Sequence, residues 1–168
     1  MDSTLQEAMS AIEAATRGMD AEQLERHPEG KWSAAGILEH LSITFGGTAR
    51  LMRKCLEDGK PLGSAPTLKQ RVAVLLVTGW GYFPTGRPAP EFARPKGLSG
   101  ETALKTIREN MAAMDAALAE CEQRFGPQVK IADHVVLGPL TIPQWRRFHR
   151  IHTQHHMKQI ERLRGSGS

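Results

Sequence analysis

Two histidines near the C-terminal end, His152 and His156, have a type and spacing suited to metal chemistry. On a helix they lie four residues apart on one face, with Cβ atoms about 5–6 Å from each other. Two imidazoles so placed can each bring a nitrogen about 2.0–2.1 Å from one divalent ion. The pair alone fits equally well a buried pair that is satisfied by backbone carbonyls, or a solvated basic face. A third ligand from a facing helix would favour the metal site, and His40 is the candidate.

The stretch that carries the pair is predicted to be a helix. Thr141 and Gln144 form a capping box, Pro143 occupies the first turn, and nothing breaks the pattern before Gly165. Steps of three and four residues give one stripe: Trp145, Phe148, His149, His152, His156, Gln159, Ile160 and Leu163. The basic residues lie mostly off that stripe and are expected to face outward: Arg146, Arg147, Arg150, Lys158, Arg162 and Arg164.

The remaining periodicity predicts an all-α protein. Helices are expected at 3–17, 33–58 and 99–125, with a short apolar helix at 67–79 and an extended segment at 129–139. With the last helix, this is a four-helix bundle with one short extra helix. Gly46 and Gly47, in the middle of the second helix, indicate either a close approach of another helix or ligand, or a kink.

Residues 1–164 are expected to form one domain, followed by a flexible tail at 165–168. The Pro/Gly-rich loop at 79–99 is long for a compact domain, so we expect it to act as a lid or an interface, or else to be poorly ordered. Its aromatic residues favour a covering role; they are Trp80, Tyr82 and Phe83.

Composition indicates an ordinary globular protein of 168 residues, 40% hydrophobic and 24% charged, with a formal charge of +4. The two cysteines, Cys55 and Cys121, lie far apart in sequence and are expected to be buried thiols. No secretory signal pattern begins the chain, and the longest apolar run, 72–77, is too short to span a bilayer. We therefore expect a cytoplasmic protein without a membrane partner.

Three motifs resemble the DinB/YfiT-like superfamily. The first is Trp32-Ser-x-x-x-Ile-Leu-x-His40-Leu, and the second is His152-x-x-His155-His156-x-x-Gln159-Ile160. The third, His134-x-x-x-Gly-Pro-Leu-Thr141-x-x-Gln-Trp145, is similar to one branch of that superfamily. The resemblance covers nearly the whole chain in element order.

This resemblance implies a four-helix bundle, often a homodimer, with a divalent metal held by His40, His152 and His156. Zn²⁺, Ni²⁺, Fe²⁺ and Cu²⁺ all suit three imidazoles, so ligand type does not choose among them. We expect the bound ion to be zinc, nickel or iron. Such a site keeps coordination positions open for water or substrate.

Other residues are weaker candidates for catalysis or support. His134 could be an acid or base in the pocket, or a loop histidine that is satisfied by hydrogen bonds. His149 could line the pocket or support a ligand, and His155 is expected at the surface or an interface. Gln159 could hydrogen-bond a ligand imidazole or tie down a backbone carbonyl.

The resulting hypothesis is a metal-dependent transferase or hydrolase acting on a small-molecule substrate. Characterised relatives in the resembled superfamily activate a low-molecular-weight thiol, which favours thiol-transferase chemistry. The alternative is a non-catalytic metal-binding dimer with a structural or stress-response role. Nucleic-acid binding through the basic last helix is disfavoured, because aromatics are few and no recognised motif is present.

Overall fold

The computed structural model describes residues 1–81 and 89–165, and it confirms the all-α four-helix bundle. The long helices are α1 (Ser3–Thr16), α3 (Ala34–Glu57), α5 (Gly100–Phe125) and α6 (Ile142–Gly165). Two short helices join them, α2 (Ala21–Glu25) and α4 (Leu68–Val74), with a π-helical turn at Leu75–Gly79 and a 3₁₀ turn at Glu91–Ala93. Strands β1 (Ala132–His134) and β2 (Gly138–Leu140) form an antiparallel hairpin.

Helix starts follow the capping residues that the sequence predicts. Ser33 accepts a hydrogen bond from the Gly36 amide at 3.0 Å at the start of α3, and Ser99 caps α5. At the start of α6, the side-chain oxygen of Gln144 accepts from the backbone N–H of Thr141 at 3.0 Å. The backbone N–H of Gln144 in turn donates to the Thr141 hydroxyl. These caps satisfy backbone N–H groups that have no partner within the helix, and so they fix where each helix begins.

The largest helix pairing, α3 against α5, explains one of the mid-helix glycines. A Cβ atom on Gly46 would lie 3.3 Å from the Asn110 side chain, which donates to the Ser42 hydroxyl at 2.8 Å. The close approach of α5 at this point therefore favours glycine. The second large pairing packs α1 against α6. Residues of both pairings contribute to one continuous apolar core.

Both cysteines lie in that core, as expected. Cys55 and Cys121 are buried free thiols, and burial raises the pKa of Cys121 to about 11. Neither thiol is therefore a thiolate at neutral pH.

Two local predictions were incomplete. The predicted polar loop before Trp32 contains α2, which is closed by a capping box between Asp20 and Gln23. Only Leu24 of that helix is buried, so the segment has no periodicity to reveal it. The predicted extended segment at 129–139 folds back on itself as the β1–β2 hairpin, with Gly138 at a φ of +73°.

The 79–99 loop is described only in part, because 82–88, including Tyr82 and Phe83, lie outside the described residues. Trp80 is 77% exposed and so covers little of the described chain, and the role of the loop as a lid or an interface stays a prediction. The far end of the loop, from Glu91 onward, packs on α3. Gly165 ends α6, and 166–168 of the predicted tail lie outside the described residues. Within the part of the chain that is described, every helix is too short or too polar to cross a bilayer.

Candidate metal centre

Three histidines meet between α3 and α6. His40 comes from α3, and His152 and His156 come from successive turns of α6. The Nε2 atom of His152 lies 3.2 Å from Nε2 of His40 and 3.1 Å from Nε2 of His156. One ligand atom from each residue falls within 4.8 Å of the others, and all three residues are buried. The structure therefore brings together the three histidines that the resemblance selects.

Hydrogen bonds at the far side of the rings orient two of these imidazoles. His40 Nδ1 lies 2.7 Å from the carbonyl oxygen of Ala93, and His156 Nδ1 lies 2.8 Å from Oε1 of Gln159. Both oxygens can only accept, so each Nδ1 carries the proton and each neutral ring has its lone pair on Nε2. The lone pairs of His40 and His156 consequently point toward His152.

Of the two alternatives for Gln159, the structure shows the hydrogen bond to the imidazole of His156. The amide nitrogen of Gln159 in turn lies 3.3 Å from Nε2 of His155, which is half-buried rather than at the open surface. A chain of hydrogen bonds thus links His156 through Gln159 to His155. Such partners of a ligand imidazole fix its tautomer and its orientation.

Burial keeps the three imidazoles neutral. It lowers the pKa of His40, brings the pKa of His156 to about 3, and places the pKa of His152 well below its usual 6.5. The neighbouring imidazoles lower the pKa of His152 and His156 further, because a second positive charge so close is unfavourable. Each ring therefore carries a single proton at neutral pH, and one of its two nitrogens keeps a lone pair.

The residues fit a divalent ion. Two nitrogens bound to zinc at about 2.0–2.1 Å in tetrahedral geometry lie about 3.3 Å apart, close to the 3.1 and 3.2 Å found here. The neutral His152 ring can donate one proton from Nε2, and so can satisfy His40 or His156 but not both. A cation is an acceptor for all three lone pairs at once. A three-imidazole donor set suits zinc, nickel and iron alike.

Aromatic rings flank the three histidines. The ring of Trp32 lies 5.1 Å from that of His40, and the ring of Phe148 stacks on His152 at 5.4 Å with an interplanar angle of 24°. These contacts limit the rotation of the imidazoles and keep water from their faces.

The two candidate catalytic histidines lie next to this group, each with its own hydrogen bonds. His134 Nδ1 accepts the backbone N–H groups of Val136 and Leu137, both at 3.2 Å, and its ring packs on Phe148 at 4.3 Å. Burial lowers its pKa to about 4. This arrangement corresponds to the alternative of a loop histidine satisfied by hydrogen bonds.

His149 is buried one turn before His152. Its Nε2 atom lies 2.9 Å from the hydroxyl of Thr48, and burial lowers its pKa to about 3. Its ring is therefore neutral at neutral pH, and no imidazolium is present there to act as a general acid. A catalytic role for His134 or His149 stays a prediction.

One residue of α6 lies where the pattern did not place it. Arg146, expected to face outward, is buried and donates to Glu122 at 2.6 Å, with Asp2 3.7 Å from its Nε atom. Its acidic partners are Asp2, directly before α1, and Glu122 of α5, and no local pattern on α6 could reveal them.

Two groups near the histidines had no predicted role. Glu39, directly before His40, is only 3% exposed and accepts three backbone N–H groups from 96–98. The Ala93 carbonyl that holds His40 belongs to the backbone, which leaves no signature in residue type. For Glu39, the available signal was its position beside a predicted ligand on the core side of α3.

Comparison with known proteins identifies the family. A search of curated proteins found no match to this chain, and a search of solved structures found none. The model of the DinB superfamily matches residues 4–160, which include all six helices almost entirely, the hairpin and the three converging histidines. The chain therefore belongs to the DinB superfamily.

Proposed function

We propose that this protein is a divalent-metal-dependent enzyme whose metal is held by His40, His152 and His156, and whose substrate is a small molecule activated at that metal. One observation supports the proposal above all: three neutral imidazoles from two helices converge with their Nε2 atoms 3.1–3.2 Å from the central one. The one Nε2–H that the His152 ring can supply satisfies only one of its two neighbours, whereas a bound cation would accept a lone pair from all three rings.

A divalent ion held by His40, His152 and His156 would have coordination positions left for water or a thiol, and would lower the pKa of either toward neutral pH. The residues of this chain prepare that site. Burial keeps the three rings neutral, and the Ala93 carbonyl and Gln159 hold two of them in the tautomer with the lone pair on Nε2. Phe148 and Trp32 restrict the access of water to the ligand rings.

Thiol transfer is the reaction we propose first, because characterised relatives in the superfamily activate low-molecular-weight thiols. A hydrolase would use the same open positions with water in place of thiol. Adding a small thiol to the metal-loaded protein distinguishes the two reactions, because only the transferase requires the thiol to bind the metal.

A second candidate function, a metal that only stabilises the bundle, is favoured by the burial of the site. His40, His152 and His156 are 4%, 6% and 7% exposed. Ions bound only to the native state stabilise it by mass action, whether or not they react. Enzyme and structural dimer therefore both predict that a chelator lowers the melting temperature.

Binding of nucleic acid through α6 has less support in the structure than in the sequence. Arg146 and Arg150 are paired with Glu122 and Glu7, and Arg164 donates to the backbone carbonyl of Ala15. These intramolecular contacts occupy half of the six basic side chains of the helix. Homodimer formation and a cytoplasmic location stay predictions.

The test is metal analysis of the purified protein beside a His152→Ala variant, followed by cobalt substitution. We expect one ion per chain in the wild type, none in a folded variant, and a cobalt absorption spectrum that shifts when a small thiol is added. Metal retained by His152→Ala would refute the site. A cobalt spectrum indifferent to thiols and to other added ligands would favour the structural role.

A further inference from the structure

A buried carboxylate lies directly beside one of the three histidines. Glu39 accepts the backbone N–H of Lys96 at 2.9 Å through Oε1, and those of Gly97 and Leu98 at 3.0 and 2.9 Å through Oε2. Three successive N–H groups can converge on one carboxylate because Gly97 has a φ of +96°, which turns the backbone around the anion. The side chain thus makes three charge-assisted hydrogen bonds to one short segment.

Residues 93–98, which we call the strap, are held to α3 at both ends. At one end the Ala93 carbonyl accepts from His40 Nδ1 at 2.7 Å, and at the other Glu39 binds the three amides. Between these points, Pro95 lies near Gly36, with 3.6 Å between its Cγ atom and a Cβ built on that glycine. Two consecutive residues of α3 therefore hold the strap.

The far end of the strap is less buried than its start. Lys96 and Gly97 are exposed and Leu98 is 37% exposed, whereas Ala93 is 2% exposed. The hydrogen bonds to Glu39 hold the backbone of these three residues on α3. Loss of the carboxylate should therefore free the strap without opening the core of the bundle.

We propose that Glu39 is a positioning residue for the metal centre: by holding the strap on α3, it keeps the Ala93 carbonyl on His40 and so fixes the direction of the His40 lone pair. This inference rests on the proposed metal-binding function. Coupling of this kind is reciprocal, so metal binding also slows the exchange of the strap amides. A cation on Nε2 strengthens the Nδ1–H donor, which draws the Ala93 carbonyl closer.

The first test needs no metal. In chelator-treated protein, Glu39→Gln should speed hydrogen exchange of the 96–98 amides by about tenfold or more. The reason is that these amides lose their charged acceptor, the Glu39 carboxylate. Nitrogen NMR of the His40 ring should show a mixture of tautomers in place of a single Nδ1–H form. Glu57→Gln is the matched control, since it removes the same charge from an exposed position on the same helix. A His40 tautomer that is unchanged while the strap amides exchange faster would overturn the proposal.

The second test measures zinc affinity by competition with a chelator. Glu39→Gln should weaken zinc binding by about tenfold, the lower end of the range for groups that support a ligand from outside the coordination sphere. The control variant should bind zinc as the wild type does. If the wild type binds no zinc, nickel or iron, the proposed function fails, while the NMR experiment still decides the role of Glu39.

Gly97→Ala provides a second variant if Glu39→Gln does not fold. Alanine is strained at a φ of +96°, yet the added Cβ meets no atom within 4 Å, so the change perturbs the strap alone. We expect faster exchange of the strap amides and weaker zinc binding here too. Unchanged zinc affinity in a variant whose strap amides exchange faster would show that the strap does not position His40.

Discussion

Replacement of His149 by phenylalanine tests the electrostatics of the core beside the candidate metal centre. His149 is 1% exposed, packs against Phe45 and Trp145, and has a pKa lowered by burial to about 3. In the unfolded chain, a histidine has a pKa of about 6.5. Between these two values the unfolded state binds the proton and the folded state does not.

The sign and size of the effect follow from that difference. Because the folded pKa is depressed, the contribution of His149 is fully retained above pH 6.5 and is lost as the pH falls toward 3. From pH 7.5 to pH 5.0, protonation of this one residue in the unfolded chain lowers the free energy of unfolding by about 2 kcal/mol. A phenylalanine at 149 cannot titrate, so the variant should lose about 2 kcal/mol less than the wild type over the same interval.

The assay is urea denaturation followed by far-ultraviolet circular dichroism, at pH 7.5 and pH 5.0, with a chelator present so that bound metal does not contribute. A constant cost of substitution, including the lost contact with Thr48, cancels when the two pH values are compared within each protein. His27→Phe makes the same change at an exposed position and is the control. Equal losses in the wild type and His149→Phe would refute the inference that His149 is held neutral by burial.

Three further predictions concern the site, the packing of α6 and assembly. Gln159→Leu removes the acceptor from His156 Nδ1, and zinc affinity measured by chelator competition should fall about 10–100-fold. Arg146→Met breaks the buried ion pair with Glu122, so the free energy of unfolding should fall by about 1.5–3 kcal/mol in urea denaturation, whereas Arg147→Met, at an exposed position, should cost far less. Sedimentation velocity should give the mass of a homodimer at micromolar concentration, and a monomer at all concentrations would contradict that expectation.

Local sequence patterns were sufficient to predict the four long helices and α4, although not α2. The capping residues before α3, α5 and α6 act over three or four positions, so their signal is contained in a few consecutive letters. The same holds for His152 and His156, whose shared face follows from the helical repeat alone. These features need no knowledge of the rest of the fold.

The contacts that position the site could not be predicted in this way. Glu39 meets the strap amides across 57–59 residues, and the partner of His40 is a backbone carbonyl 53 residues away. Arg146 turns inward because Asp2, directly before α1, and Glu122 of α5 approach it once the bundle has formed. Each of these contacts depends on tertiary packing, for which a single sequence carries no local signature.

X-ray absorption spectroscopy of the metal-loaded protein tests the central proposal most directly, because it reports the atoms bound to the ion. We expect three imidazole nitrogens at about 2.0–2.1 Å for zinc, together with one or more lighter exchangeable ligands. The His40→Ala variant should lose one imidazole or the ion itself. A spectrum with fewer than three imidazoles, or one that is the same in His40→Ala, would contradict the assignment of His40, His152 and His156 as the metal ligands.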